Sequence, residues 1–229
     1  MKGVEQDGSC LECSSTIMNE IFTNEDLCLI NANKSNMYFE GGETILKQGS
    51  FVSQIIYLKK GLVKIVLEGK NDRNSILSLV EAENFIALQI LGDPCQYPFS
   101  VIAIYNCNVC FIREATIIEV MKRNTSANNY LLKWLSNDYL FMYNKILTIS
   151  TRNSHGKLAA ALLYLTSGAF ESDALNSISR KELAELASIS VESSNKILLQ
   201  LKHDRIIEIK DNKITIKRRD LIEKLSTIG

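Results

Sequence analysis

The sequence predicts an α+β fold in three consecutive parts: an antiparallel β-sandwich or roll, a long helix, and a winged helix-turn-helix. Three observations predict it. Residues 37–113 are short β-rich runs punctuated by glycines. Between Leu132 and Ile149 the apolar residues recur at alternating intervals of three and four. Ser179–Lys217 reads as two capped helices followed by a hairpin.

The 229 residues suffice for one or two domains, and a hydrophobic content of 46% supports real cores. Lysines and arginines balance aspartates and glutamates at 26 each, so the whole chain does not bind polyanions by bulk charge. From Arg152 to Gly229 there are 13 basic and 10 acidic residues, a mild positive bias that favours phosphate contact. No apolar run reaches membrane-spanning length, and no basic and apolar signal segment is present. A cytoplasmic protein is expected, with no membrane partner. Its six cysteines are then thiols or metal ligands, not a disulfide framework.

Near the start, Cys10-x-x-Cys13 has a spacing that lets two thiolates reach one metal. It supplies half of a four-ligand site, and two free thiols are the alternative. A helix is expected from about Met18 to Asn33, burying Ile21, Leu27 and Ile30. Strands follow around Met37–Phe39, Thr44–Leu46, Gln54–Leu58, Leu62–Leu67, Ser75–Val80, Ser100–Ile104 and Val109–Ile112. Gly41-Gly42, Gly49, Gly61, Gly69 and Gly92 mark turns between them. Such a roll either encloses a small ligand or is simply packed.

Residues 116–150 turn helical. Leu132, Leu135, Tyr139, Met142, Ile146 and Ile149 form an a/d seam suited to a two-stranded coiled coil, which predicts a homodimer. Arg152–Gly156 interrupts the stripe as a hinge, and Lys157–Thr166 resumes as a helix.

Ser179 is placed to cap a helix, with Glu182 three residues on completing a capping box. Leu183, Leu186 and Ala187 give that helix one apolar face. Ser190 caps a second helix, which buries Ile197, Leu198 and Leu201 and turns Glu192, Ser193, Asn195 and Lys196 outward. Short polar side chains at the start of a second helix match what base edges in a major groove offer. Ile206, Ile207 and Ile209, then Asp211-Asn212, then Ile214 and Ile216 form the wing. No nucleophile elbow, phosphate-binding loop or zinc-protease helix occurs, and two histidines leave little for acid–base work, so no enzyme is expected.

These parts, in this order, resemble the Crp/Fnr family of bacterial transcription regulators. Glu40-Gly41-Gly42-Glu43-Thr44-Ile45 with Lys47-Gln48-Gly49 is similar to the lead-in of that family's roll, and Ile55–Lys64 to its next strand pair. Ile178–Ala184 and Ser190–Lys196 are similar to its helix-turn-helix signature. The resemblance implies a cyclic-nucleotide-binding-like, double-stranded β-helix roll over 1–120, a dimerisation helix and hinge over 121–151, and a winged helix-turn-helix over 152–229. It also implies an inverted-repeat operator in double-stranded DNA, with RNA polymerase as a further partner. Ser179, Arg180, Ser190, Glu192, Ser193, Asn195 and Lys196 are then the DNA-contacting residues, Glu192 and Lys196 on bases and Arg180 on phosphate.

Departures from the family matter for the signal. Where its cyclic-AMP branch holds ribose and phosphate, this chain has Glu81–Ala87 and Tyr97–Ser100, leaving Phe85 and Ser100 as effector-binding candidates. No arginine lies between Arg73 and Arg113, so no bidentate phosphate clamp is available and cyclic AMP is not expected. The oxygen-sensing branch carries a four-cysteine iron–sulfur site. Cys10 and Cys13 match its first two ligands and Cys110 its remote one, while the third falls near Asn19, with Cys28 the candidate substitute. A redox or iron–sulfur sensor is therefore the alternative function. A nucleotide-binding module fused to an interaction domain that does not touch DNA is a third. Lys196 replaces the usual arginine, which loses the rigid bidentate fork. Ser188 stands at the usual turn glycine.

Overall fold

The computed structural model describes residues 16–70, 74–91, 96–170 and 173–229. They form two compact units. The first comprises the described residues up to Leu67 together with Leu79–Leu140; the second comprises those of Glu68–Ser78 and Phe141–Gly229.

The chain begins with α1 (Thr16–Ile21) and α2 (Asn24–Ala32). A single helix was expected here. Thr23 divides it, because its hydroxyl accepts from the Asp26 N–H while the Asp26 carboxylate accepts from the Thr23 N–H, a complete capping box. Ile21, Leu27 and Ile30 are buried as expected.

The roll follows as β1 (Lys34–Phe39), β2 (Thr44–Leu46), β3 (Gln54–Lys60), β4 (Leu62–Leu67), β5 (Ser75–Glu81), β6 (Asn84–Ile86), β7 (Ser100–Ala103) and β8 (Cys107–Arg113). Two four-stranded sheets result, in the orders β1-β8-β3-β6 and β2-β7-β4-β5. The registers are antiparallel, with Ile56 opposite Phe111 and Ile65 opposite Val101. β3 is flanked on both edges, and Ile55–Leu58 are all buried, so it reads as a continuous apolar run and not an alternating one. Gly61 joins β3 to β4 at φ +107; a Cβ there would lie 2.6 Å from Cys107 Sγ and 2.7 Å from the Asn106 carbonyl. β6 was not foreseen. It is three residues long and pairs with β3 only after Glu83 turns the chain at φ +64.

The predicted long helix is two helices, α3 (Glu114–Arg123) and α4 (Thr125–Thr151). Asn124 separates them. Its Oδ1 accepts from the Ala127 N–H, and its Nδ2 donates to the Ile21 carbonyl and to Asp26 Oδ2. Arg123 reaches Asp26 Oδ1 at 3.0 Å. Asp26 is 1% exposed. Burial alone would raise its pKa, but hydrogen bonds from Thr23, Asn124 and Arg123 outweigh it and hold the carboxyl below its ordinary value.

The second unit contains α5 (Ser154–Leu165), α6 (Ala174–Ser177), α7 (Arg180–Ala187), α8 (Val191–His203), β9 (Ile207–Lys210), β10 (Lys213–Ile216) and α9 (Arg219–Ile228). The expected five-residue break is shorter, because Asn153 caps α5 by accepting from the His155 and Gly156 N–H groups. α6 and α9 were not foreseen. α5 packs against α7, α8 and α9 around Leu158, Leu162, Leu183, Leu198, Leu201 and Ile222. Among the described residues, no helix is long and apolar enough to cross a membrane.

Candidate nucleic-acid interface

The helix-turn-helix has the local chemistry that the sequence implies. Ser179 caps α7 by accepting from the Glu182 N–H, and Glu182 accepts in return from the Ser179 N–H. α7 ends at Ser188, which is left-handed at φ +54 and donates its N–H to the Glu185 carbonyl. A residue with a Cβ pays roughly 1 kcal/mol for that conformation. Ser190 then caps α8, its hydroxyl accepting from the Ser193 N–H.

α8 has two unlike faces. Ser194, Ile197, Leu198 and Leu201 are buried. Glu192, Asn195, Lys196, Leu199, Lys202 and His203 are exposed. Steps of three and four residues keep that exposed set along one stripe of the helix. Glu192, Asn195 and Lys196 make no side-chain hydrogen bond or ion pair with another described residue. Their donors and acceptors are available to base edges. Ser193 is less available: it is half-buried, and its hydroxyl takes a hydrogen bond from Ser190. The sequence reading missed Leu199, whose side chain is 65% exposed. An apolar group in this position suits a thymine methyl. Its signal was there to be found, since it lies one turn beyond Asn195 and Lys196.

The wing is a two-residue hairpin. Asp211 and Asn212 both have positive φ, as a type I′ turn requires. Arg180 donates from Nη2 to the Asn212 carbonyl at 3.0 Å, so the first helix holds the tip of the wing. Burial lowers the Arg180 pKa from its ordinary value. Asn176 of α6 adds a second tie: it accepts from the Ile214 N–H at 2.7 Å. Arg180 was expected to contact phosphate only, and a wing-positioning role was not foreseen. The reason is its hydrogen bond to a residue 32 positions away, which no local pattern announces.

The effector candidates in the roll take a different position. Phe85 is 2% exposed and packs on Phe22, Tyr57 and Tyr130, with ring centroids 4.9–6.1 Å apart. Ser100 is fully buried, and its hydroxyl accepts from the Gln48 N–H at 2.8 Å. Both are core residues here. Cys10 and Cys13 lie outside the described residues, as does Cys95. Cys28 is exposed on α2, whereas Cys110 is fully buried in β8 between Asn36 and Tyr57 of the flanking strands. Among the described residues, no three Cys, His, Asp or Glu side chains converge as metal ligands. The described cysteines therefore do not assemble a cluster site.

Comparison with known families places both units. The cyclic nucleotide-binding domain matches residues 36–124, and the Crp-like helix-turn-helix domain matches residues 156–225. The chain belongs to the Crp/Fnr family of transcription regulators. Members of this family regulate transcription and are not enzymes. The fumarate and nitrate reduction regulatory protein of Escherichia coli K12 is 20% identical over 191 residues, covering 81% of this chain and 76% of that protein. A Crp/Fnr family transcriptional regulator from Eubacterium rectale shares the fold with a TM-score of 0.76 at 16% identity, over 93% of this chain and all of the other. FixK2 from Bradyrhizobium japonicum does so with a TM-score of 0.74 at 13% identity, over 86% and 98% of the two chains. Among Crp/Fnr regulators, then, this chain has a roll whose two candidate effector residues are packed, and a second helix of the helix-turn-helix whose polar stripe is exposed.

Proposed function

We propose that the protein is a homodimeric, sequence-specific DNA-binding regulator in which α8 reads base edges and the roll controls the helix-turn-helix. The observation that carries this reading is the stripe on α8, where Glu192, Asn195 and Lys196 are exposed opposite buried Ile197, Leu198 and Leu201. Glu192 accepts from a cytosine amino group and Lys196 donates to guanine. Arg180 and the basic residues of the wing contact phosphate, which adds affinity without sequence information. Selection of binding sites from random duplex DNA tests the assignment. Two inverted half-sites about one helical turn apart are expected. Enriched sites without inverted symmetry would remove α8 from this role.

Dimerisation is supported by α4. Leu132, Tyr139, Tyr143 and Ile146 are exposed on it at spacings of seven, four and three, with Leu140 and Leu147 beside them. Leu135 and Met142, expected in the same seam, are half-buried within the protomer. The exposed apolar stripe of α4 thus runs through Tyr139, Tyr143 and Ile146. Replacing Tyr139 and Ile146 together with glutamate places like charges opposite each other across a two-fold seam. The double variant is expected to sediment as a monomer at concentrations where the parent chain is a dimer.

For the signal, the roll is not expected to take cyclic AMP: the segment between Arg73 and Arg113 has no arginine, and Ser100 is engaged by Gln48. Calorimetry with cyclic AMP should show no binding. The Cys10-x-x-Cys13 spacing favours redox sensing as a second reading. Its test is the visible absorption and iron content of protein purified without oxygen, compared with Cys13→Ser. Colourless, iron-free protein removes the reading.

A further inference from the structure

The second unit contains a cavity of about 170 Å³ bounded by the C-terminal part of α4, by α5, by the end of α7 and by Leu77 of β5. Phe141, Ala161, Tyr164 and Leu186 make its walls largely apolar. Two of the residues that line it, Lys145 and Lys157, are cationic, and among the described residues no aspartate or glutamate lines it.

Lys145 is the unusual member. It projects from α4 and donates from Nζ to the Leu186 carbonyl in the last turn of α7. An ammonium has three donors, and this bond uses one. Lys145 makes no ion pair with a described acidic residue. Burial pulls its pKa down to about 8, so the group stays mostly charged at neutral pH. A cation half-removed from water without a counter-charge is costly, and the cost falls when an anion joins it. The adjoining space is large enough for a compact apolar body, since an apolar cavity of about 150 Å³ admits benzene.

We propose that this cavity binds a small monocarboxylic acid with a compact apolar body, its carboxylate on Lys145 Nζ and its body against Phe141, Tyr164 and Leu186. Such a ligand joins α4 to the last turn of α7, the first helix of the helix-turn-helix. It is thus a place where a small metabolic acid acts on the reading unit itself. The site stands whether or not α8 reads DNA, because its described lining residues belong to α4, α5, α7 and β5 and none to α8.

Calorimetry on the full chain, with benzoate and hexanoate as probes and benzyl alcohol as the uncharged control, tests it. At least one acid is expected to bind roughly tenfold more tightly than benzyl alcohol. Lys145→Met keeps the length of the side chain and removes the charge; it should weaken the acid by roughly tenfold or more while leaving the alcohol unchanged. Ala161→Leu fills the cavity, leaves both lysines in place and should abolish binding of acid and alcohol alike. The absence of heat with both acids overturns the proposal, as does equal affinity for acid and alcohol. Should Lys145→Met fail to fold, Ala161→Leu decides alone: undiminished binding in that variant places the acid elsewhere and overturns the proposal.

Discussion

In the roll unit, Asp26 is 1% exposed and meets Thr23, Asn124 and Arg123, while Ser100 is fully buried beneath the Gln48 N–H. On α8, Glu192, Asn195 and Lys196 are exposed and make no side-chain hydrogen bond or ion pair with another described residue. The residue types are comparable and the consequences opposite. A buried polar group must find partners inside the protein, so its chemistry is consumed in holding elements together. A polar group standing out from a packed helix keeps its hydrogen-bonding capacity for a partner. The difference separates architecture from recognition more sharply than residue identity does.

The largest effect that this contrast predicts is at Asp26. Asp26→Ala removes the acceptor shared by three residues and leaves Asn124 with an unfilled donor, so urea unfolding should show a loss of about 2–3 kcal/mol. The pH dependence has a definite sign. The carboxyl is held below its ordinary value in the folded protein, so the unfolded chain takes up the proton first as pH falls. Its contribution is complete above the ordinary carboxylate range and is lost as pH drops through the lowered folded value. The stability gap between the parent chain and Asp26→Asn should therefore narrow below about pH 4. A gap that stayed constant down to acid unfolding would mean that the network carries no charge.

Glu192→Ala should behave in the converse way. Its unfolding midpoint should stay within about 0.5 kcal/mol of the parent's, as for a surface change. Preference at one position of each half-site should fall by about 1–3 kcal/mol, read from competition between duplexes that differ at that base pair. Unchanged preference would return α8 to the architectural class. Arg180→Ala lies between the two, because Arg180 holds the wing at Asn212. It should weaken all sequences alike and flatten the salt dependence of binding.

The smallest effect concerns an exception on α8 itself. Ser194 is fully buried, and its hydroxyl has no hydrogen-bond partner among the described residues. An unsatisfied buried hydroxyl is destabilising, so Ser194→Ala should be neutral or stabilise by up to about 1 kcal/mol. A loss of stability would show that the hydroxyl does have a partner.

By itself, the sequence determined the features whose partners lie within one turn of chain. The Ser179–Glu182 box, the Ser190 cap, the Asp211-Asn212 turn and the left-handed Ser188 are hydrogen-bonding or steric events over a few residues, and their residue types name them. Periodicity likewise gave out the strands of the roll and the apolar stripe of α4, because side-chain direction follows directly from helix or strand geometry. Only the tertiary structure decided which polar groups are consumed and which remain. Arg123 and Asn124 find Asp26 across nearly a hundred positions, Arg180 finds the wing, and Lys145 finds the Leu186 carbonyl beside a cavity. Phe85 and Ser100 are buried in the same way, by segments distant in sequence. Burial and long-range partnership depend on where distant segments pack, and no local pattern encodes that.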